Sequence, residues 1–237
     1  MKRSVDLDQA NPKDDDDIDE SIIVDRIYNA VIEQRIPPGA KLSEASICSM
    51  FGVGRMRARR SLLLLSNSGV VKLENNRGAH IAQPTSEEAL AVFEARRAIE
   101  PNVARLAAKK IVSEDQEKLS KHLEQEALAN RIGDRHSAIR LSGQFHTQLA
   151  EIAKNMVMAR MVKELVARTS LIIGIYGAPG TKNCHDDEHQ LILGALNRRD
   201  EDLAASLMEE HLRHIEQQVD LSHRGRKSFN LVEALMN

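Results

Sequence analysis

The chain has 237 residues and a formal net charge of −2, and 42% of its residues are hydrophobic. This length favours two domains, and the absence of a secretory signal or an apolar run of membrane-spanning length excludes a membrane partner and indicates a cytoplasmic protein. Aromatic residues make up only 3% of the chain, which favours aliphatic, helical cores. Two cysteines, Cys48 and Cys184, predict no disulfide framework.

The charge is unevenly distributed along the chain. Residues 1–20 carry a charge of −5, residues 21–83 carry +5 and the remainder carries −2. The acidic segment 1–20 predicts a disordered leader, either a simple solvating tail or a weak mimic of DNA. The basic segment predicts a nucleic-acid-binding domain over residues 21–83.

Two helices are predicted at the start of the basic segment. Ile23, Ile27 and Val31 recur at a four-residue spacing, which predicts a helix over residues 21–35 that ends before Pro37. Residues 42–51 predict a second, short helix.

A third helix follows the turn at residues 52–54, and its first two turns carry Arg55, Arg57, Arg59 and Arg60. Its last part, residues 62–65, consists of four leucines. A helix of this kind can enter a DNA groove with its basic end and anchor in a core with its apolar end. The alternative is a solvated basic face.

A hairpin completes this domain. Residues 70–73 and 79–82 predict short strands, and residues 75–78 predict the turn, with Arg77 and Gly78 at its tip. Three helices followed by a hairpin predict a winged helix-turn-helix, whose wing tip can approach DNA phosphates or a minor groove.

Residues 21–83 resemble the DNA-binding domain of GntR-family bacterial transcription regulators. The resemblance rests on PGAKLSE (38–44), FGVGR (51–55), GVV (69–71) and NRGA (76–79), together with Arg59 and Leu62. It implies operator contacts from Arg55, Arg59, Arg77 and Gly78, and the basic cluster adds Arg57. The chain departs from the family pattern at Gly54, which offers no side-chain cap, and at residues 56–58, so its operator can differ from those of relatives.

The rest of the chain predicts only helices, which follow a linker at residues 83–85. Thr85 with Glu88, and Ser113 with Gln116, resemble capping boxes, and Pro101 is expected to kink the first helix. The predicted helices cover residues 86–110, 113–133, 134–154, 156–173, 186–197 and 200–221, with a loop at 174–184 and a tail at 222–237. The predicted fold is therefore mainly α, with a winged helix-turn-helix followed by an antiparallel all-helical bundle over residues 84–221.

Three histidines of the predicted bundle, His146, His189 and His211, lie on three different helices. Neutral imidazole is a common ligand of transition metals, so these residues could form one metal site in the core. The alternative is that each is a surface or satisfied core histidine.

Residues 86–221 resemble the FCD effector domain of the FadR subgroup of GntR regulators. The resemblance rests on RRAIE (96–100), QFH (144–146) with Asn155, EH (188–189) and HL (211–212). It implies that His146, His189 and His211 bind a divalent metal such as zinc, with an aspartate at the position that Ser142 occupies here. It also implies an effector pocket formed by these residues with Arg96, which can clamp a carboxylate or instead pair with Glu100.

The sequence therefore predicts a homodimeric, ligand-responsive repressor that binds double-stranded operator DNA and a small carboxylate effector. A helical metal-dependent enzyme that uses the three histidines is the alternative, but no nucleophile accompanies them in the sequence. A purely architectural DNA-binding protein is a third hypothesis, which leaves the pocket residues unexplained.

Overall fold

The computed structural model describes residues 19–74, 78–177 and 187–222. Its N-terminal part contains three helices and three short strands. They are, in chain order, α1 (Glu20–Ile32), β1 (Lys41–Leu42), α2 (Glu44–Phe51), α3 (Arg55–Asn67), β2 (Val71–Glu74) and β3 (Gly78–Ile81). The three helices and the β2–β3 hairpin confirm the predicted winged helix-turn-helix.

The small sheet contains a strand that the sequence did not predict. Its strand order is β1-β3-β2, and both pairings are antiparallel, with Leu42 opposite Ala79 and Val71 opposite Ile81. The predicted helix over residues 42–51 is therefore wrong at its first residues, because Leu42 belongs to β1. Helix α2 begins at Glu44, after the Ser43 side chain accepts a hydrogen bond from the Ser46 backbone N–H.

The C-terminal part is a bundle of long helices, as predicted. They are α4 (Ser86–Lys110), α5 (Ser113–Ile132), α6 (Arg135–Ile152), α7 (Met156–Tyr176), α8 (Glu188–Asn197) and α9 (Glu201–Gln217). Helix α4 runs continuously past Pro101 and packs extensively against α9. Helix α7 extends three residues into the segment predicted as a loop.

One of the two predicted capping boxes is present. At the start of α4, Thr85 accepts from the Glu88 N–H and the Glu88 side chain accepts from the Thr85 N–H. The box predicted for Ser113 and Gln116 is wrong, because Ser113 is already the first residue of α5. The Asp115 carboxylate instead accepts a hydrogen bond from the Val112 N–H.

The DNA-binding part docks on the helical part through α1. The Tyr28 hydroxyl donates to the Lys163 carbonyl at 3.0 Å, and Arg140 forms an ion pair with Glu33 at 2.9 Å. Helices α6 and α7 therefore contact the DNA-binding part directly. These two helices also lie close to each other at Gly143, where an added Cβ would lie 2.9 Å from a methyl group of Val166.

Several predictions concern segments outside the described residues. The acidic leader lies there except for Asp19, the N-cap of α1, and Glu20, its first residue. The wing tip at residues 75–77, most of the predicted 174–184 loop and most of the tail also lie outside the described residues. Within the described residues, no helix combines the length and the apolar composition that a membrane span requires.

Candidate functional site

Helix α3 has one buried face and one exposed face. Ala58, Ser61, Leu62 and Leu65 are at most 4% exposed and pack into the core of the DNA-binding part. Their spacing of three and four residues defines a single helical face. The helix is thus anchored along its length while its other side faces outward.

The arginines of α3 differ in exposure. Arg55, Arg59 and Arg60 are exposed, whereas Arg57 is half-buried. Arg60 also lies 3.5 Å from the Glu20 carboxylate of α1. Arg60 thus belongs to the exposed basic surface of α3, whereas Arg57, which is predicted to bind DNA, is half-buried.

The wing lies next to this basic helix. A cleft of about 550 Å³ separates them, lined among others by Arg59 and Leu63 of α3 and by Leu73 and Gly78 of the hairpin. Gly78 has a φ of +84°, a conformation that favours glycine. Arg77, the other residue predicted at the wing tip, lies outside the described residues.

The three predicted histidines meet in the core of the helical part. The Nε2 atom of His211 lies 3.2 Å from Nε2 of His189 and 3.2 Å from Nε2 of His146. All three side chains are at most 4% exposed, and their ligand atoms lie within 4.8 Å of one another. The structure thus brings together α6, α8 and α9 at one point.

Each imidazole has a carboxylate on its outer side. The Nδ1 atom of His146 lies 2.6 Å from Glu100, that of His189 lies 2.9 Å from Glu126, and that of His211 lies 2.7 Å from Glu188. Ionised carboxylates only accept hydrogen bonds, so the Nδ1 atoms of His146 and His211, which face Glu100 and Glu188, carry the proton. The Nε2 atoms of all three imidazoles face a common centre.

The protonation states at neutral pH follow from burial and from these contacts. Burial lowers the pKa of His146 to about 4 and that of His211 to about 3. Burial would raise the pKa of Glu188, but hydrogen bonds from His211 and His214 outweigh it and lower the pKa to about 2. Burial also opposes ionisation of Glu100, yet the neighbouring Arg96 guanidinium holds its pKa well below the usual range. At neutral pH the imidazoles of His146 and His211 are therefore uncharged, and the carboxylates of Glu100 and Glu188 are ionised.

These three side chains suit a divalent metal. Zinc bonds to histidine nitrogens are about 2.0–2.1 Å long, so a tetrahedral ion holds its ligand nitrogens about 3.3 Å apart. The two Nε2 separations of 3.2 Å agree with this value. Carboxylates that orient ligand histidines through Nδ1 are also typical of metal sites.

Two further residues predicted for the effector pocket lie close to this centre. Ser142 is buried and lies one turn before His146 on α6. Arg96 forms the buried ion pair with Glu100 that its (i, i+4) spacing allowed, and its Nη1 atom lies 3.3 Å from the Thr169 hydroxyl. A role of Arg96 as a carboxylate clamp remains a prediction.

The carboxylate partners of His189 and His211 were not identified from the sequence. Glu126 lies 63 positions from His189 in the chain, so no local spacing connects the two residues.

Comparison with known proteins agrees with both parts of the structure. Residues 20–81 match the model of the bacterial regulatory proteins of the gntR family, and residues 91–214 match that of the FCD domain. The chain belongs to the gntR family of bacterial regulatory proteins and carries the FCD domain, and it is a DNA-binding transcription regulator. The alternative of a helical metal-dependent enzyme gains no support from these matches.

Individual relatives are distant in sequence. The chain is 25% identical to the HTH-type transcriptional repressor RspR of Escherichia coli over 190 residues, which cover 80% of this chain and 83% of RspR. It is 27% identical to the transcriptional repressor NanR of Cronobacter sakazakii over 198 residues, which cover 73% and 74% of the two chains.

Solved structures share the fold. Escherichia coli McbR/YncC aligns with a TM-score of 0.71 at 16% identity, covering 85% of this chain and 99% of that one. A GntR regulator from Rhodococcus sp. RHA1, described as putative, aligns with a TM-score of 0.70 at 21% identity, covering 84% and 96%.

Proposed function

We propose that this regulator is a repressor whose operator binding is controlled by a small carboxylate metabolite bound at the three-histidine centre, with the help of a divalent metal. The convergence of three buried Nε2 atoms carries the proposal. That RspR and NanR are named transcriptional repressors supports repression. As a DNA-binding regulator, it would act in the cytoplasm.

In this proposal His146, His189 and His211 hold the metal through Nε2. The bound ion would supply positive charge for the effector carboxylate and leave a coordination position open to it. Ser142 would line the pocket on the α6 side. Arg96 would stabilise the pocket through Glu100 and could offer a remaining N–H group to the effector.

The contacts between the two parts suggest how the effector would influence DNA binding. Helix α6 carries His146 and also Arg140, which pairs with Glu33. Helix α7 carries Thr169, next to Arg96, and also Lys163, whose carbonyl accepts from Tyr28. A movement of either helix on effector binding would shift α1 and so change the position of α3.

Metal analysis and operator binding test this proposal together. The purified chain should contain about one divalent ion, and a matching carboxylate should change operator affinity only while the ion is present. By linkage, metal and effector should each strengthen binding of the other. If the effector binds equally well after the metal has been chelated, the pocket binds the effector without metal, and the proposed role of the metal is wrong.

The carboxylate behind His211 should matter for metal affinity. Replacing Glu188 with glutamine keeps a hydrogen-bond acceptor near Nδ1 but removes its charge, and loss of such an outer partner typically lowers affinity by about 10–100-fold. We expect a decrease of this size in competition with a chromophoric chelator. The control is Asp187→Asn, which neutralises the exposed neighbouring carboxylate and should leave the affinity unchanged. Equal affinities for both variants would contradict the proposed role of Glu188.

The arginines of α3 are proposed to contact the operator together with the wing residues Arg77 and Gly78. Replacing Arg55 or Arg59 with alanine should weaken operator binding by about 1–3 kcal/mol if the arginine reads a guanine. The preference for operator over random DNA should fall with it, measured by fluorescence anisotropy at fixed salt. Arg105→Ala, on α4 of the helical part, is the control. If both α3 variants keep wild-type affinity and selectivity, the recognition-helix assignment is wrong.

We also propose that the regulator binds DNA as a homodimer. A two-fold symmetric protein reads a two-fold symmetric site, so the operator would be an inverted repeat with half-sites about one helical turn apart. Analytical ultracentrifugation of the free protein and of its operator complex gives the stoichiometry directly.

A further inference from the structure

Met56 is the most exposed large apolar side chain in the described part of the DNA-binding domain. It is 69% exposed, compared with 40–48% for Ile22, Leu63, Leu64 and Leu73. It is the second residue of α3. At about 100° per residue, it points roughly 170° away from the centre of the buried face of that helix.

Single exposed apolar side chains are common on protein surfaces. The position of Met56 at the start of α3 is what distinguishes it. The N-terminal residues of a recognition helix are those that reach base edges. Arg55 precedes Met56, and Arg59 and Arg60 follow on the same exposed side. When these cations bring the helix end to the DNA, Met56 is carried into the groove with them.

Inside a major groove an apolar side chain has few suitable partners. The base edges there present hydrogen-bond donors and acceptors, and the only apolar group is the C5-methyl of thymine. A methionine buried against polar edges alone would leave donors and acceptors without water, at a cost in free energy. Its long, unbranched and polarisable side chain adapts well to a methyl group.

We propose that Met56 determines part of the operator specificity by contacting the C5-methyl group of a thymine in each half-site. The contact would favour thymine at one position through apolar burial rather than through a hydrogen bond. The arginines beside it would supply affinity and read other positions. This inference rests on the proposed role of α3 as the recognition helix and is independent of the three-histidine centre.

The test removes the methyl group from the DNA and the side chain from the protein. The operator is first selected from unmethylated synthetic DNA with the full-length chain, so that thymine is the sole source of a C5-methyl group. Each thymine is then replaced by deoxyuridine, which lacks only that methyl, at the symmetric positions of both half-sites. Affinities are measured at one salt concentration, because phosphate contacts make binding strongly salt-dependent.

For wild type, deoxyuridine at one position should lower affinity by about fourfold per half-site, the value expected for burial of one methyl group. Met56→Ala should bind the thymine and deoxyuridine operators equally at that position. Met56→Leu, which remains apolar, should keep a preference for thymine. Leu64→Ala is the matched control, because Leu64 is an exposed apolar residue of the same helix and lies about 80° around the helix axis from Met56. This variant should retain the full wild-type preference.

Two results would overturn the proposal. One is a wild type that tolerates deoxyuridine at every position of the operator. The other is a Met56→Ala variant that keeps the whole deoxyuridine penalty, which would assign the methyl contact to a different residue. Circular dichroism of each variant verifies that the helices are retained.

Discussion

Replacing His211 with alanine is expected to abolish stoichiometric metal binding. His211 is the central member of the cluster, since its Nε2 atom lies 3.2 Å from those of both His189 and His146. Loss of an outer hydrogen-bond partner already costs about 10–100-fold in affinity, so loss of a direct ligand should cost more than about 100-fold. Metal analysis of the purified variant and chelator competition would measure both quantities.

His214 provides the matched control for this variant. It lies three residues further along α9 and contacts the same Glu188 carboxylate as His211. Its ring is not part of the three-histidine cluster, so His214→Ala should retain about one ion per chain. If His211→Ala keeps one tightly bound ion, the metal of this protein lies elsewhere.

Replacing Arg96 with methionine is expected to give the largest loss of stability. Arg96 and Glu100 form an ion pair whose side chains are 2% and 1% exposed. Removing one partner of a buried pair leaves an uncompensated charge and typically costs about 3–5 kcal/mol. Urea denaturation followed by circular dichroism should show a midpoint shift of corresponding size.

The adjacent residue again supplies a control. Arg97 forms an ion pair with Glu216 of α9, but these side chains are 28% and 25% exposed. Arg97→Met should therefore cost no more than about 1 kcal/mol, because water screens the pair. The double variant Arg96→Met/Glu100→Gln removes both charges and should recover part of the loss. Equal losses for Arg96→Met and Arg97→Met would mean that burial does not set the strength of the first pair.

The sequence was most informative where local pattern and chemistry coincide. The basic start and apolar end of α3 predicted its position, and Thr85 with Glu88 predicted the start of α4. His146, His189 and His211 were selected because the family resemblance identified them, and the structure brings them together. Spacing alone could not have separated them from the other histidines of the same region.

The features that were missed depend on contacts between distant segments. Strand β1 has only two residues and depends on its pairing with β3. Two residues are too few for an alternation of polar and apolar side chains to predict a strand. Glu126 contacts His189 only because α5 packs beside α8. Ser113 is not the N-cap of α5, because Val112 occupies that position. Arg60 likewise faces outward because a different face of α3, which carries Leu62 and Leu65, packs into the core.

The docking of α1 on α6 and α7 has a consequence for exchanging modules between related regulators. A DNA-binding module transplanted onto another helical module would arrive with Glu33 but without Arg140 to pair with it. Its Tyr28 would need a backbone carbonyl placed as that of Lys163 is in this protein. Functional chimeras should therefore keep α1 together with its receiving surface, and joining the two modules at the short linker alone should yield proteins that bind DNA but no longer respond to effector.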